Sequence, residues 1–174
     1  METHRIMTIS RRALIGSGIA AGAAGLVGSA GFWALAGKPK ETKRYEVFFS
    51  DAEWKARLSP AAFAVLRQES TERPFSSPLN DEHRAGLFGC AGCRLPLFSS
   101  RTKFDSGTGW PSFWQPLNNA VGTSTDHMLG YARTEVHCRR CGGHLGHVFD
   151  DGPQPTGKRY CMNGVAMIFK PTKG

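Results

Sequence analysis

Cys90-Ala91-Gly92-Cys93 and Cys138-Arg139-Arg140-Cys141 each place two thiols across a tight turn. Four thiolates at this spacing suit a single tetrahedral zinc ion, with Zn–S distances of about 2.3 Å. Two disulfides are one alternative, and a thioredoxin-like redox pair is another, although such a pair usually precedes a helix and neither segment does so. Because residues 94–137 separate the two pairs, the sequence predicts a structural zinc ion that clips distant segments together.

A fifth cysteine lies apart from these pairs, in the segment Arg159-Tyr160-Cys161-Met162-Asn163. Residues 159–169 alternate as a strand does, so Arg159, Cys161 and Asn163 would project from one face. A nearby cation stabilises a thiolate, and an activated thiol without a partner is a candidate nucleophile. An isolated cysteine in a strand is also often a small buried apolar residue, and this alternative stays open.

Two further segments carry candidate functional groups. His144-Leu145-Gly146-His147 follows the second cysteine pair and supplies two imidazoles, the usual proton donors near neutral pH. Either histidine could equally be a metal ligand or a core residue. A glycine-containing loop at residues 106–109 runs into Trp110 and Phe113. Such a loop can hold Trp110 as a wall against a small apolar group, whereas an aromatic cluster is also a common core feature.

The composition indicates one β-rich domain. A chain of 174 residues is long enough for a single domain with its own core, and its 21 glycines and ten prolines indicate many turns. The formal net charge of +8 is compatible with nucleic acid or an anionic membrane, and a nucleic-acid-binding zinc ribbon is the main alternative class. The basic residues are scattered singly, so we expect a solvated surface, no nucleic-acid partner and a monomer.

Residues 1–36 have the features of a leader. Arg11-Arg12 precedes an uncharged stretch rich in Gly and Ala, which ends at Ala36 in a small-x-small pattern that suits signal peptidase. Paired arginines before a weakly hydrophobic stretch are typical of a twin-arginine export signal. We predict cleavage after Ala36 and export to the periplasm; an uncleaved leader that anchors the protein in the membrane is the alternative. Residues 37–45 then form a linker, and residues 46–170 the folded domain.

Two short helices followed by an antiparallel β body are predicted for this domain. Ser50 and Glu53 form a capping box at the first helix start. Ser59-Pro60 predicts a second helix through residues 61–68, which the segment around Pro74 brings to an end. Short alternating runs broken by turn-forming residues predict strands at residues 95–98, 133–137, 147–149 and 159–169. The predicted fold class is therefore mainly β.

Taken together, these segments resemble the type B methionine sulfoxide reductases (MsrB), over about residues 45–170. The resemblance implies the family's β-tent of two antiparallel sheets behind N-terminal helices, with one structural zinc ion remote from the chemistry. Besides both cysteine pairs and Arg159-Tyr160-Cys161, it is carried by Thr71-Glu72-Arg73-Pro74-Phe75-Ser76, Lys103-Phe104-Asp105-Ser106-Gly107, Gly109-Trp110-Pro111-Ser112-Phe113 and His144-Leu145-Gly146-His147-Val148-Phe149.

The resemblance also implies an activity and a set of roles. The family reduces the R epimer of methionine sulfoxide, free or in proteins. Cys161 matches its nucleophile, which becomes a sulfenic acid. His147, with His144 nearby, matches the acid and polarising pair, and Trp110 matches the residue that receives the substrate's methyl group. The other site residues expected from the resemblance are Phe113 for substrate binding, and Arg159 and Asn163 in the same pocket.

One departure from the family pattern changes the expected chemistry. Many members have a resolving cysteine between the two glycines before Trp110, where this chain has Thr108. With four cysteines committed to zinc, we expect a one-cysteine enzyme whose sulfenic acid is reduced by an external thiol or a thioredoxin-like protein. Met162 and Gly164 also replace residues that are often Ile or Val, and Ser.

Overall fold

The computed structural model describes residues 45–172. The predicted leader at residues 1–36 and its cleavage site lie outside the described residues, as does nearly all of the predicted linker. Export and membrane anchoring therefore stay predictions. Within residues 45–172, no helix is both long enough and apolar enough to cross a membrane.

The two predicted helices are present, α1 at Asp51–Arg57 and α2 at Pro60–Gln68. The capping box of α1 is confirmed, because Glu53 N donates to Ser50 Oγ at 3.4 Å and Ser50 N donates to the Glu53 carboxylate at 2.8 Å. These bonds satisfy backbone donors that a helix start otherwise leaves without a partner.

The start of α2 is as predicted, but its end has a different cause. Ser59 Oγ accepts a hydrogen bond from Ala62 N at 3.2 Å, which caps the first turn. The expectation that Pro74 ends the helix is wrong, since α2 already ends at Gln68. There Glu69 adopts a left-handed backbone conformation with φ of 56°, a common way for a helix to stop.

Two antiparallel sheets make up the rest of the described chain, which confirms the mainly β fold. Nine strands lie between residues 45 and 172: β1 (Gly86–Cys90), β2 (Pro96–Ser99), β3 (Lys103–Phe104), β4 (Ser112–Phe113), β5 (Val121–Asp126), β6 (Arg133–Cys138), β7 (His144–Phe149), β8 (Arg159–Met162) and β9 (Met167–Pro171). One sheet has the order β2-β1-β9, and the other has the order β3-β4-β8-β7-β6-β5.

The stretch predicted as one strand at residues 159–169 is two strands in different sheets. A short 3₁₀ helix, Gly164–Ala166, separates β8 from β9. The carboxylate of Glu72 stabilises the break by accepting hydrogen bonds from Gly164 N and, at 3.0 Å, from Val165 N. Because these donors are used by a side chain, the strand stops and the chain crosses from the six-stranded to the three-stranded sheet.

Other strands differ from the prediction in their bounds or were missed. β7 begins at His144, three residues earlier than predicted, so both histidines of the motif lie in one strand. β1 and β5 were not predicted from the sequence. β1 contains two glycines and β5 is mostly polar, so neither shows a clear alternation of apolar and polar residues.

The six-stranded sheet has an apolar face and a polar face. On the apolar face, Met162 is fully buried and the Phe113 ring stacks on Phe98 with their centroids 4.4 Å apart. Phe98 belongs to β2, so the core fills the space between the two sheets. Successive side chains of a strand point to opposite sides, and Cys161 therefore projects from the polar face.

Gly164 lies against the side chain of Ser77, and this contact yields a first prediction. A Cβ atom at position 164 would lie 1.9 Å from Ser77 Oγ and 2.5 Å from Ser77 Cβ. We expect Gly164→Ala to lower the free energy of unfolding by about 1–3 kcal/mol, measured by chemical denaturation, because the added methyl group overpacks the site.

The compensating variant is Ser77→Gly. By itself this change removes the Oγ acceptor for Leu79 N and costs only a few tenths of a kcal/mol or so. The double variant Ser77→Gly/Gly164→Ala should recover most of the stability lost in Gly164→Ala. A double variant as unstable as the single one would show that the crowding does not come from Ser77.

Candidate active site

The two cysteine pairs meet in one cluster. Their four Sγ atoms lie within 4.8 Å of one another, with Cys90 3.7 Å from Cys141 and Cys93 3.5 Å from Cys138. All five cysteines are free, and these separations are far longer than a disulfide bond of about 2.05 Å. They are close to the sulfur–sulfur edge of about 3.8 Å in a tetrahedron with metal–sulfur distances of about 2.3 Å. The donor set fits one tetrahedral metal ion.

This four-cysteine cluster joins the two sheets. Cys90 is the last residue of β1, and Cys138 is the last residue of β6. Each turn is closed by a backbone hydrogen bond, from Arg94 N to Cys90 O at 2.9 Å and from Gly142 N to Cys138 O at 2.8 Å. Cys161 is not a member of the cluster, so the metal site and the unpartnered thiol are separate.

Cys161 lies in a row of polar residues that crosses the six-stranded sheet. It pairs with Ser112 of β4 on one side and with His147 of β7 on the other. The row continues to Glu135 of β6 and Ser124 of β5. Directly opposed residues of neighbouring strands share a face, with Cβ atoms about 4.5–5.5 Å apart. The pairing therefore places the thiol beside an imidazole that is distant in sequence.

Opposing influences act on the Cys161 thiol. Burial raises its pKa, while the hydroxyl of Thr108 and the guanidinium of Arg159 lower it; the net shift is upward. Arg159 is itself held by Asp151 through two hydrogen bonds, of 2.9 and 2.8 Å. The cation that favours the thiolate is thus fixed in position.

A chain of hydroxyl groups leads to the thiol from the glycine loop. Ser106 Oγ lies 2.7 Å from Ser112 Oγ and 2.8 Å from Thr108 Oγ1. Thr108 Oγ1 is in turn 3.8 Å from Cys161 Sγ. Position 108, expected to hold the resolving cysteine in many relatives, is therefore in direct contact with the sulfur.

His147 is oriented by a carboxylate. Its Nε2 lies 2.8 Å from Asp126 Oδ2, and the same oxygen accepts a hydrogen bond from Arg133 at 2.5 Å. Burial lowers the pKa of His147, although the bond to Asp126 opposes this shift. The pKa of Asp126 is lowered to about 2, first by the backbone N–H of Met128 and then by His147. Asp126 therefore stays ionised beside the ring.

His144 lies behind His147 and not on the cavity. The two rings are 5.4 Å apart, and His144 Nδ1 is 2.9 Å from Glu135 Oε1. Bonds from His137 and His144 hold the pKa of Glu135 well below its usual range. His144 is buried and does not line the cavity beside the thiol, so it adjoins that space only through the ring of His147.

A small cavity of about 130 Å³ opens beside the thiol. Four residues predicted from the sequence line it, Cys161, His147, Asn163 and Trp110, and so do four that were not predicted, Thr71, Arg133, Gly146 and Phe149. An indole, an imidazole and a thiol converge on this space. The cavity can therefore hold a short apolar group with a polar atom turned towards His147.

Asn163 and Trp110 are both tied to the backbone of Glu72. Asn163 Oδ1 accepts a hydrogen bond from Glu72 N at 2.9 Å, and its Nδ2 donates to Leu145 O at 3.1 Å. Trp110 Nε1 donates to Glu72 O at 3.2 Å. The amide of Asn163 is thus engaged with the backbone, and it fixes the wall of the cavity.

Phe113 lies on the opposite face of the sheet. Its side chain is fully buried in the core, 4.4 Å from the Phe98 ring and 5.0 Å from the Phe88 ring, between centroids. Its neighbour Ser112 is the residue that pairs with Cys161. The structure therefore does not bring Phe113 to the cavity, where it was expected to bind substrate.

Comparison with known proteins adds an independent observation. The SelR domain family matches residues 58–171. "Peptide methionine sulfoxide reductase MsrB" of Agrobacterium fabrum is 52% identical over 123 residues, which cover 70% of this chain and 91% of that protein. A protein of the same name from Thiobacillus denitrificans is 54% identical, over 70% of this chain and 93% of its own length. Another, from Methylibium petroleiphilum, is 47% identical, over 78% of this chain and 96% of its own length. The chain belongs to the MsrB family.

In this MsrB, four charged residues around the site were not predicted from the sequence. Asp126, Arg133 and Glu135 surround the histidines, and Glu72 holds the cavity wall. The alternation of Arg133 and Glu135 in β6 was a usable signal that both share a face. Glu72 had none in its local sequence, because its partners lie at distant positions in the chain.

The position of Arg159 predicts how the Cys161 thiol titrates. Removing the guanidinium in Arg159→Gln takes away a cation that favours the thiolate, so the thiol pKa should rise further. Alkylation of Cys161 by iodoacetamide, measured by mass spectrometry at a series of pH values, should show the midpoint of the rate profile move upward. At a pH below both midpoints the alkylation rate of Arg159→Gln should be lower than that of the wild type.

Arg84→Gln is the matched control, because Arg84 pairs with Glu82 on an exposed turn. We expect no change in the alkylation midpoint for this variant. An unchanged midpoint in Arg159→Gln would contradict the role assigned to the guanidinium.

Proposed function

We propose that this MsrB reduces the R epimer of methionine sulfoxide to methionine, with Cys161 as the nucleophile. The observation that carries the proposal is the meeting of Cys161, His147 and Trp110 on one small cavity. The thiol sulfur bonds to the sulfoxide sulfur, and the oxygen is transferred as the S–O bond to the substrate breaks. Methionine leaves, and Cys161 becomes a sulfenic acid, so the substrate is reduced by two electrons and the cysteine oxidised by two.

His147 is suited to move the proton in this step. Its lowered pKa makes the protonated ring a stronger acid, and Asp126 fixes the ring through Nε2. The proton released from the Cys161 thiol passes through the imidazole to the sulfoxide oxygen. This transfer avoids an uncompensated negative charge on oxygen as the S–O bond weakens.

Trp110 and Phe149 are the aromatic walls of the cavity. We propose that the methyl group of the substrate lies against Trp110 and the oxygen faces His147. Once the methyl group and the oxygen are placed, the two remaining positions on the substrate sulfur belong to its lone pair and to the side chain that leads to the methionine backbone. Only one arrangement of these two lets Cys161 reach the sulfur. The two fixed contacts thereby select one epimer at sulfur.

The cycle is completed by an external thiol. That thiol attacks the sulfenic acid and releases water, and a second thiol then displaces Cys161 and leaves a disulfide between the two reductant sulfurs. Thr108 contacts Cys161 but cannot form a disulfide. A thioredoxin-like dithiol protein or a small thiol is therefore the proposed reductant.

The four-cysteine cluster is proposed to hold one structural zinc ion. Zinc prefers four thiolates in tetrahedral geometry, and the sulfur separations fit that geometry. The role of Cys90, Cys93, Cys138 and Cys141 is then to fasten the two sheets and keep Cys161 the only free thiol.

Loss of the nucleophile tests the proposed reaction. With dithiothreitol as reductant, wild-type protein should reduce N-acetyl-methionine-R-sulfoxide and leave the S epimer unchanged. Cys161→Ser should lower the rate by more than about a thousandfold with an unaltered circular dichroism spectrum. Wild-type turnover of the S epimer, or retained activity in Cys161→Ser, would contradict the mechanism.

Metal analysis tests the cluster separately. Purified protein should contain about one zinc ion per chain, and Cys138→Ser should lose it together with several kcal/mol of stability or so. Ser124→Ala, a change in the neighbouring strand β5 that leaves the thiols intact, serves as the control and should keep its metal. Full stability in metal-free protein would show that the ion does not fasten the sheets.

A further inference from the structure

The catalytic cavity is too small to hold more than the end of one side chain. Its volume is about 130 Å³, whereas sites that enclose a whole small ligand usually measure about 300–1,000 Å³. If the sulfoxide belongs to a polypeptide, the residues on either side of it must lie outside this cavity. The surface next to the cavity therefore decides which polypeptides are accepted.

A larger groove of about 700 Å³ adjoins the cavity. It is lined by residues of α2, by residues 70–73 and 76–79, and by the segment from Gly164 to the first residue of β9. Its surface is mainly apolar, and the side chains that give it this character are Ala61, Ala64, Val65, Leu79, Val165 and Met167. A solvated groove of this composition gains free energy when it covers apolar side chains.

Thr71 joins the groove to the catalytic cavity, since this exposed residue lines both. The next residue, Glu72, forms hydrogen bonds with residues of the cavity and with residues of the groove. Its backbone is held by Asn163 and Trp110 of the cavity, and its carboxylate by the N–H groups of Gly164 and Val165 of the groove. The two spaces are thus fixed relative to one another, and an extended chain can pass over Thr71 from one to the other.

We propose that the groove binds apolar residues that flank methionine sulfoxide in an unfolded polypeptide. This inference rests on the proposed reduction at Cys161. Its basis is the continuity of the groove with the cavity, the size of each space and the apolar character of the wall. Buried methionine becomes accessible when an oxidised protein unfolds, and the residues around it are then apolar as well.

Peptide selectivity tests the proposal. Two acetylated, amidated pentapeptides with a central methionine-R-sulfoxide would be compared, one with valine at the four flanking positions and one with serine. With dithiothreitol as reductant, wild-type kcat/KM should be about tenfold higher for the valine peptide, the gain expected from partial burial of one or two apolar side chains. The small substrate N-acetyl-methionine-R-sulfoxide measures the chemistry alone.

Two variants place a carboxylate in the groove, Ala61→Glu at an exposed position and Ala64→Glu at a half-buried one. Glutamate is a good helix former, so α2 should persist, as circular dichroism would verify. In both variants the ratio of kcat/KM between the valine peptide and the small substrate should fall about tenfold, through KM. Ala56→Glu, the same substitution at an exposed position of α1 that does not line the groove, should keep the wild-type ratio.

Three other outcomes would each contradict a different part of this proposal. Equal wild-type rates on both peptides, or a ratio unaffected by both groove variants, would refute the groove as a substrate site. A loss seen only when a thioredoxin replaces dithiothreitol would assign the groove to the reductant instead. Wild-type protein that fails to reduce the small substrate would refute the proposed reaction itself.

Discussion

The burial of Met162 on one face of β8 determines which face of the sheet carries the Cys161 thiol. Burying a methionine side chain contributes about 1.5–3 kcal/mol, and a shift of one residue in strand register would exchange Met162 with Cys161. The register that keeps Met162 in the core also sets Cys161 opposite Ser112 and His147. The approach of the Cys161 thiol to the His147 imidazole is thus a consequence of sheet packing, and it needs no proximity in sequence.

The two faces of the six-stranded sheet differ in character, since one packs in the core and the other carries the polar site. Its apolar face carries the aromatic core against the three-stranded sheet, and the four-cysteine cluster lies where the ends of β1 and β6 meet. Carboxylates on its polar face hold the two histidines, since Asp126 bonds His147 and Glu135 bonds His144. These bonds keep both imidazoles oriented, as the proposed oxidation of the neighbouring thiol requires.

Local spacing was sufficient to predict the metal ligands, both helix starts and the unpartnered thiol, because each depends on residues a few positions apart. Strand pairing was not predictable in this way. Phe113 shares a motif with Trp110, yet its neighbour Ser112 takes the place opposite Cys161, and Phe113 must then point into the core. Asn163 does line the cavity, but it does so after β8 has ended, at a break stabilised by Glu72. Contacts between residues so far apart in the sequence depend on the tertiary fold.

The position of Thr108 has a consequence for the order of events. An internal resolving cysteine could act while a product polypeptide still covers the cavity, because it approaches Cys161 from within the protein. Here the position that contacts the sulfur carries a hydroxyl. In the proposed cycle, an external thiol must therefore reach Cys161 through the same cavity that holds the substrate. A polypeptide seated in the adjoining groove would obstruct that entry. The proposed cycle therefore requires the repaired polypeptide to leave before the sulfenic acid is reduced. Tighter binding of a polypeptide in the groove would improve the capture of substrate but slow the return of Cys161 to the thiol.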